Sequence, residues 1–323
     1  MQSALALELK LLHHKCEMKN ICEICNQAAT LGLNETYKGI DVVVCKACGL
    51  VWNRNMNDEP EQVEFYTKYN RSGGTLPRRY LVSMLARAAS ALEFLDNDLK
   101  AGMKHLDVGC AEGTLLALTR AHGLEVQGLE IDLNHSRFAR ETRGLLVLPM
   151  TLDAAPLEPN SFDLVSLVHV VEHLVHPIEV LDSARNLLRD GGLLYVEVPN
   201  MNQPLPGSRH FFRPKHNFYF TANTLKSLVS KAGFSPVRVG YSSRDGSVQL
   251  LCAKGAAEDK PQWRDDARKV RARVLRERNR HYLLLHTLFT HYLRLQWMKR
   301  VMLQRYGHLL PELASSNKTD TPQ

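Results

Sequence analysis

Short apolar runs alternate with segments of helical pattern through the middle of the chain. The runs with the character of strands are at 105–108, 126–129, 145–148, 162–168 and 193–198. Between them, near 114–122, 134–142 and 177–189, apolar residues recur at the spacing of one helix face. Strands that alternate with helices are typical of βαβ units, in which a crossover helix joins two parallel strands. The pattern predicts a doubly wound α/β domain around a mostly parallel sheet.

The two ends of this domain differ from its middle. A helical pattern over 79–95 precedes the first strand, and another over 222–232 follows the last parallel one. Two more strands come next, Val237–Tyr241 and Val248–Ala253, joined by turn residues at 244–246. Strands with so short a connection must be antiparallel, because a parallel pair needs a long crossover. We therefore expect a seven-stranded sheet that closes with an antiparallel hairpin.

Four cysteines near the beginning of the chain form two Cys-x-x-Cys pairs, Cys22 with Cys25 and Cys45 with Cys48. Tetrahedral zinc is bound by four thiolates, which two short turns of this kind can deliver. The alternative is a set of buried thiols without a ligand. Because the protein would fill all four positions, the predicted zinc is structural and not catalytic.

Changes of composition divide the chain into successive parts. A polar, turn-rich stretch after the paired cysteines has the character of a linker, and a basic helical region follows the α/β domain. The predicted parts are an N-terminal extension (1–20), a zinc ribbon (21–53), a linker (54–78), the α/β domain (79–256), a basic amphipathic helical extension (257–311) and a disordered tail (312–323).

The sequence shows neither a secretory signal nor a membrane span. The apolar stretch 4–12 is interrupted by Glu8 and Lys10, and the apolar stretch 282–289 is bounded by Arg280. A spanning helix needs roughly 20 consecutive apolar residues, which neither stretch approaches. We expect a cytoplasmic protein, and the basic extension allows a peripheral position at the inner membrane surface.

A glycine-rich turn follows the first strand of the α/β domain. Asp107 lies in that strand, Gly109 and Gly113 lie in the turn, and a helix is predicted from about Thr114. Glycine lets the backbone approach a ligand closely, and a helix N-terminus offers unpaired N–H groups to an anion. Glu130 ends the next strand, where nucleoside-binding α/β folds place the acid that binds ribose hydroxyls. Tight packing alone can also require such a turn, so the turn by itself leaves both interpretations open.

The order and spacing of these residues resemble the class I S-adenosylmethionine-dependent methyltransferases. Asp107-x-Gly109-x-x-x-Gly113 is similar to the first motif of that family and differs from the Gly-x-Gly-x-x-Gly of dinucleotide-binding folds. The resemblance covers about 79–254 and includes the segments 161–165, 169–174 and 187–200. The cysteine module, which runs into Gly49-Leu50-Val51-Trp52, is similar to the zinc-ribbon leader of a bacterial subgroup that includes enzymes acting on sugars or other small molecules.

The resemblance implies a role for each residue at a matching position. A methyltransferase of this class surrounds its cofactor with the glycine-rich turn and the ends of the neighbouring strands. The expected contacts are Asp107, Gly109 and Gly113 around the methionine part of S-adenosylmethionine, Glu130 at the ribose diol, Ile131 beside the adenine, and Asp153 or its neighbour Leu152 at the adenine amino group.

Methyl transfer to an oxygen is helped by a base that takes the hydroxyl proton, and histidine titrates in the useful range. His216 follows the fifth strand, on the side where such sheets build their sites, and is the preferred candidate. His173 and His169 follow the fourth strand. The alternative for His173 is a hydrogen bond that stabilises the fold, and for His216 it is packing among aromatic residues.

The net charge of +7 is concentrated in a basic run, 264–280, which precedes an apolar stretch. A basic helix joined to an apolar one is typical of an element that binds an anionic membrane surface, a protein partner or nucleic-acid phosphates. A solvated face is the simpler interpretation. As a separate surface element, this region is expected to leave cofactor binding intact when it is removed from Pro261 onward.

These observations favour a methyltransferase acting on a small hydroxylated acceptor, such as a sugar or a lipid-linked glycan precursor. An RNA-modifying methyltransferase that grips nucleic acid with the ribbon and the basic region is the second hypothesis. No motif of the Asn-Pro-Pro-Tyr type follows the fourth strand, which argues against a flipped base as substrate. A non-enzymatic cofactor-binding module is the third hypothesis.

Overall fold

The structure is a computed structural model that describes residues 20–28, 30–32, 40–56, 76–202, 212–213, 215–255, 264–279 and 284–314. Apart from Asn20, the predicted N-terminal extension lies outside these residues. The same holds for 57–75 of the predicted linker and for 315–323 of the predicted disordered tail.

The secondary structure alternates through the α/β domain and becomes helical after it. The strands are β1 (Thr30–Gly32), β2 (Val42–Cys45), β3 (Val51–Asn53), β4 (Lys104–Val108), β5 (Glu125–Leu129), β6 (Val147–Leu148), β7 (Phe162–Val168), β8 (Leu188–Val198), β9 (Phe218–Tyr219), β10 (Phe234–Tyr241) and β11 (Val248–Lys254). The α-helices are α1 (Arg78–Leu95), α2 (Thr114–Ala121), α3 (Leu133–Glu141), α4 (Pro177–Leu187), α5 (Ala222–Lys231), α6 (Ala267–Asn279), α7 (Leu284–Tyr306) and α8 (Pro311–Ala314).

The larger sheet has seven strands in the order β10-β11-β8-β7-β4-β5-β6. Its five strands from β4 to β8 are parallel, and β11 runs antiparallel to both β8 and β10. This confirms the predicted doubly wound sheet and its closing hairpin. The chain reverses direction beside β4, where the crossovers to β5 and to β7 lie on opposite sides, and such a switch point opens a crevice at the carboxyl ends of the strands.

Two strands begin earlier than the apolar pattern predicts. β8 begins at Leu188, although the strand was expected from Leu193, because Arg189–Gly192 continue its backbone as a bulge against β7. β10 begins at Phe234, which is fully buried and lies beyond the polar Ser235 and the Pro236 that hide the strand pattern.

The cysteine module has a sheet of its own, in the order β1-β2-β3-β9. Its last strand comes from far along the chain, since Trp52 of β3 pairs with Phe218 and Val51 pairs with Tyr219. Trp52 and Phe218 are both almost completely buried. The module is therefore joined by backbone pairing to the segment that follows β8, and sequence spacing could not predict this long-range pairing.

The basic helical extension packs against the rest of the protein at the side chains that the structure describes. Ala267 and Val270 of α6 are buried in one cluster with Val42 and Val44 of β2. Met298 and Met302 of α7 are buried in the cluster that contains the inner face of α1. No helix among the described residues is long and apolar enough to cross a membrane.

An ion pair connects the end of the extension to the glycine-rich turn. Glu312 of α8 accepts a hydrogen bond from Nε of Arg143 at 2.8 Å, and the Arg143 side chain is 2% exposed. Arg143 in turn donates to the carbonyl oxygen of Glu112 at 2.8 Å and to the hydroxyl of Thr114 at 2.7 Å. The structure therefore gives a reason to expect that loss of the extension loosens the turn, contrary to the independence expected from the sequence.

We predict that Glu312→Ala lowers the free energy of unfolding by roughly 3 kcal/mol, because it removes the nearer of the two carboxylates beside the buried Arg143 guanidinium and leaves only Glu112, 3.8 Å away. Arg305→Ala is the matched control. Arg305 pairs with Glu93 at the surface, where such a pair contributes about 1 kcal/mol or less. Urea unfolding measures both, and an equal effect of the two substitutions would contradict the structural role of Glu312.

Candidate functional site

The glycine-rich turn between β4 and α2 forms one wall of the candidate site. Gly109 has φ of 70° and Gly113, at the N-cap of α2, has φ of 77°, a region that side chains other than glycine rarely adopt. A Cβ on Gly109 would lie 2.6 Å from Cγ2 of Val170, and a Cβ on Gly113 would lie 2.5 Å from Cδ1 of Leu145. Both glycines are therefore required by close packing as well as by backbone conformation.

Asp107 lies on β4 just before this turn and is buried in a chain of hydrogen bonds. The hydroxyl of Ser166, on the neighbouring β7, donates to Oδ1 of Asp107 at 2.5 Å. His105 Nε2 lies 2.8 Å from the same hydroxyl, and its Nδ1 lies 3.0 Å from Thr119 Oγ1. Burial, together with the nearby carboxylates of Glu130 and Glu112, raises the pKa of Asp107 to about 7, although the hydrogen bond from Ser166 opposes this shift. A cationic group beside Asp107 would favour its ionised form.

Glu130, the residue after β5, turns its carboxylate towards the glycine-rich turn. Oε2 accepts a hydrogen bond from Ala111 N at 2.8 Å, and Oε1 accepts one from Asp132 N at 2.7 Å. A carboxylate offers about four lone-pair positions, so each oxygen can still accept a ligand hydroxyl. Burial raises the pKa of Glu130, and the two backbone donors oppose that shift. The acceptor positions that remain on the two oxygens of Glu130 fit the two hydroxyl donors of a ribose diol.

Tyr80 belongs to the same region, although the sequence analysis did not select it. Its hydroxyl donates to Oε2 of Glu112 at 3.0 Å, and its ring stacks on His135 with centroids 5.6 Å apart. Burial raises the pKa of the Tyr80 hydroxyl, so the hydroxyl stays protonated. Tyr80 comes from α1 and His135 from α3, so no sequence motif brings them together.

The candidates for the adenine side differ in exposure. Ile131 directly follows Glu130 and is half-buried, whereas Asp153 is exposed. Leu152 is buried in the main core cluster. Asp153 is therefore an accessible polar group and Leu152 a buried apolar one. Which of the two lies at the adenine amino group stays a prediction.

A second group of side chains lies where β7 ends, beside the glycine-rich turn. Glu172 and His173 belong to a 3₁₀ turn after β7, and His216 approaches from the segment before β9. Ligand atoms of these three residues all lie within 4.8 Å of one another, and the two imidazole rings meet edge to face at 4.8 Å. The structure therefore brings both predicted catalytic histidines together and adds Glu172 to them.

Electrostatics in this group favour an anionic carboxylate and a neutral His216. Burial opposes ionisation of Glu172, but His169, His173 and His216 around it hold its pKa at about 2. Burial lowers the pKa of His216 to about 3, against the attraction of Glu172. His169, with φ of 55°, lies 3.3 Å from Glu172 and 3.5 Å from Glu197. Burial opposes its protonation, but the two carboxylates raise the pKa of His169 overall.

The four cysteines of the first module form a compact cluster. All four Sγ atoms lie within 4.8 Å of one another, with Cys22–Cys48 and Cys25–Cys45 each at 3.4 Å. Tetrahedral zinc with bonds of about 2.3 Å needs Sγ atoms about 3.8 Å apart, so the donor set fits this ion after a small expansion. Hydrogen bonds from Cys22 and Cys45, together with burial, raise the pKa of Cys48, and a cation would reverse this effect.

Comparisons with known proteins agree with this geometry. The family model described as "Methyltransferase domain" matches residues 79–239. The ubiquinone biosynthesis O-methyltransferase of Roseobacter denitrificans is 32% identical over 180 residues, which cover 47% of this chain and 73% of that one. The corresponding protein of Cereibacter sphaeroides is 32% identical over 196 residues, which cover 50% and 79%. The chain belongs to the class I S-adenosylmethionine-dependent methyltransferases.

Among solved structures, magnesium protoporphyrin IX methyltransferase from Synechocystis is similar with a TM-score of 0.48 and 15% identity, covering 61% of this chain and all of that one.

Family membership makes the chain an enzyme that uses S-adenosylmethionine, so the hypothesis of a non-enzymatic module is wrong. The turn at 109–113 and the carboxylate of Glu130 fit the cofactor, because they combine close backbone approach with acceptors for a diol.

We predict that Asp107 makes the stability of the cofactor-free protein pH-dependent. In the unfolded chain it loses its proton near its ordinary pKa of 3.8, whereas the folded chain keeps the proton up to about pH 7. The folded state binds more protons between these values, so stability falls as pH rises from about 4 to 7. Asp107→Asn should remove this fall, on the order of a few kcal/mol. Urea unfolding at several pH values measures the free energy of unfolding of the wild type and of Asp107→Asn. If it changed with pH in the same way in both proteins, Asp107 would not be the group responsible.

Proposed function

We propose that this methyltransferase transfers the methyl group to a hydroxyl oxygen of a small acceptor. The observation that carries the proposal is the contact between the two halves of the site. Val170, two residues before Glu172, packs directly on Gly109 of the glycine-rich turn. The Glu172–His173–His216 group therefore lies next to the segment that is proposed to hold the methionine part of the cofactor.

The relatives support a hydroxyl as the accepting group, since both are named ubiquinone biosynthesis O-methyltransferases. We propose a sugar or a lipid-linked glycan precursor as the class of acceptor. The test is incubation of the protein with labelled S-adenosylmethionine and a panel of hydroxylated sugars, lipid-linked sugars and phenols, each with its amino analogue as control. Mass spectrometry then locates the methyl group, and transfer only to the amino analogues would reject an oxygen acceptor.

We propose that Asp107, Gly109 and Gly113 surround the methionine part, that Glu130 binds the ribose hydroxyls, and that Ile131 and Asp153 lie on the adenine side. S-adenosylmethionine supplies a methyl group already activated on a sulfonium. The protein has to align an acceptor oxygen with that methyl group and keep water away. The buried carboxylate of Glu130 supports this arrangement, because its two backbone donors fix its orientation.

Glu130→Ala should weaken S-adenosylmethionine binding by roughly 1 to 3 kcal/mol, because it removes charged acceptors from two hydroxyl donors. Glu125→Ala is the matched control, since Glu125 lies on the same strand but is exposed at its far end. Calorimetry measures both affinities. An unchanged affinity for Glu130→Ala in a folded protein would exclude Glu130 from the cofactor site.

For the acceptor we propose His216 as the residue that activates the hydroxyl, with His173 beside it. A neutral imidazole can accept the proton as the oxygen forms its new bond, and burial keeps His216 neutral near pH 7. Phe212 and Tyr219, whose rings meet at 4.8 Å, form an apolar wall near it. Such a wall limits the access of water to the reacting atoms.

His216→Ala should reduce turnover by about a hundredfold or more and leave cofactor affinity nearly unchanged, as expected of a group that acts mainly in the transition state. His122→Ala, on the exposed end of α2, is the control. His173→Ala should chiefly lower stability, because His173 Nδ1 contacts Lys215 O at 2.8 Å. If His216→Ala kept normal turnover while His173→Ala was folded but inactive, His173 and not His216 would be the residue that activates the acceptor hydroxyl.

We also propose that Cys22, Cys25, Cys45 and Cys48 bind one structural zinc. Metal analysis of the reduced protein should find one zinc per chain, which Cys45→Ser should lose and Cys252→Ala should keep, since Cys252 of β11 does not belong to the group of four thiols. Because β3 of the ribbon pairs with β9, zinc loss should also reduce turnover through His216. Zinc-free wild-type protein with full activity would contradict this.

We further propose that the protein acts in the cytoplasm, with attachment to an anionic membrane surface through its helical extension. Tyr292, Leu293 and Trp297 of α7 are large apolar or aromatic side chains that remain exposed, which supports this role. Two basic residues of α6 are instead engaged within the protein, because Arg271 donates to Gly32 O and Arg273 donates to Asn202 Oδ1. These contacts reduce the basic surface left for nucleic acid.

A further inference from the structure

We propose that Glu172, His173 and His216 bind a divalent transition-metal cation, a second metal site that is separate from the cysteine cluster. The three residues supply one carboxylate oxygen and two imidazole nitrogens within 4.8 Å of one another. Two histidines and one carboxylate form a donor set that holds a metal while leaving coordination positions open. The inference rests on the proposed function only for what fills those positions, which is the acceptor hydroxyl oxygen.

The tautomer of His173 is the first argument for a cation. Its Nδ1 lies 2.8 Å from the carbonyl oxygen of Lys215, which can only accept, so Nδ1 carries the hydrogen. In the neutral ring Nε2 then presents its lone pair, and Nε2 lies 3.8 Å from Oε1 of Glu172. A lone pair facing a carboxylate is repulsive unless a positive charge lies between them. Histidine ligands in metal sites commonly donate their other N–H to a carbonyl in this way.

The burial of Glu172 is the second argument. Its side chain is 1% exposed, and neither carboxylate oxygen has a hydrogen-bond partner of good geometry among the described residues. His169 Nδ1 lies 3.3 Å from Oε1 but does not form such a bond. A buried carboxylate without hydrogen bonds is costly unless a cation compensates it. The orphaned oxygens therefore indicate a ligand at this position.

The backbone holds the three residues in place before any ligand binds. Asn217 N donates to Glu172 O at 2.7 Å, and its side-chain amide donates to His173 O at 2.8 Å and to Leu174 O at 3.2 Å. The segment that carries His216 is thus fixed to the turn that carries Glu172 and His173. A site with its ligands already oriented loses little entropy when a cation binds.

The donor set selects the class of cation. Imidazole nitrogen suits Zn²⁺, Fe²⁺ and other first-row transition ions, and the carboxylate also suits Mn²⁺, whereas Mg²⁺ prefers a shell of oxygen ligands and water. Bound to the acceptor oxygen, such a cation would lower the pKa of the hydroxyl. The oxygen–methyl bond would form as the sulfonium–methyl bond breaks, with S-adenosylhomocysteine as the leaving group and water as the acceptor of the hydroxyl proton. His216 would then act as a ligand and not as the direct base.

The test uses the full-length protein with its cysteine cluster intact and Mn²⁺ as the probe, without cofactor or acceptor. Electron paramagnetic resonance follows the free Mn²⁺ signal, and calorimetry gives the affinity. We expect one Mn²⁺ per chain, with binding weakened about tenfold or more in Glu172→Gln and in His216→Ala. His122→Ala should bind like the wild type. Circular dichroism confirms folding, and two variants are used so that a failure of one to fold leaves the test decisive.

Absence of Mn²⁺ binding, with Zn²⁺ binding only at the cysteines, would overturn the inference. So would binding that both variants leave unchanged. Competition of Zn²⁺ for the bound Mn²⁺, lost in Glu172→Gln, would support a transition-metal site.

An activity measurement separates this inference from the proposed function. Protein cleared of weakly bound metal, with the cysteine zinc retained, is assayed with an acceptor from the panel. Turnover that recovers on addition of Mn²⁺ supports both proposals. Full turnover without added metal would overturn the cation site but would leave the proposal of O-methylation intact. Confirmed Mn²⁺ binding with methyl transfer only to nitrogen would overturn the proposed acceptor class but would leave the cation site intact.

Discussion

The parallel pairing of β4 with β7 is the constraint on which the rest of the site depends. It aligns Asp107 with Ser166 and lets one hydrogen bond join the two strands at their carboxyl ends. Beyond that point the strands diverge into the glycine-rich turn and the turn of Glu172. The packing of Val170 on Gly109 keeps these two turns in contact. The proposed cofactor side and the proposed acceptor side are therefore adjacent because β4 and β7 are neighbouring strands.

Burial of negative charge is the main electrostatic cost of this arrangement. Asp107, Glu112, Glu130 and Glu172 are all buried near the ends of these strands. Each is compensated differently: a hydroxyl donates to Asp107, backbone N–H groups donate to Glu130, and Tyr80 donates to Glu112. Glu172 is surrounded by histidines instead. Of these four carboxylates, Glu172 is the one without a good hydrogen bond from any described residue, and it is also the one that the proposed cation would neutralise.

Segments outside the α/β domain are joined to the site at both ends. The cysteine module pairs with β9, one residue after the Asn217 that clamps the Glu172 turn. The helical extension reaches Arg143 through Glu312, and Arg143 contacts the glycine-rich turn. Neither segment lies on the cofactor motif, yet each supports a segment that carries it or the acceptor group.

Local sequence patterns were enough to predict the sheet, its closing hairpin, the cysteine pairs and the places of Asp107, Gly109, Gly113 and Glu130 in the α/β domain. These features depend on local periodicity and on residues close together in the chain, which pattern analysis reads directly. Three features follow only from the tertiary structure: β3 pairs with β9, the Tyr80 hydroxyl donates to Glu112 of the glycine-rich turn, and Glu172 lies beside His173 and His216. Such contacts join residues 30 to 170 positions apart, for example 44 between His173 and Asn217 and 169 between Arg143 and Glu312, and no local pattern encodes them.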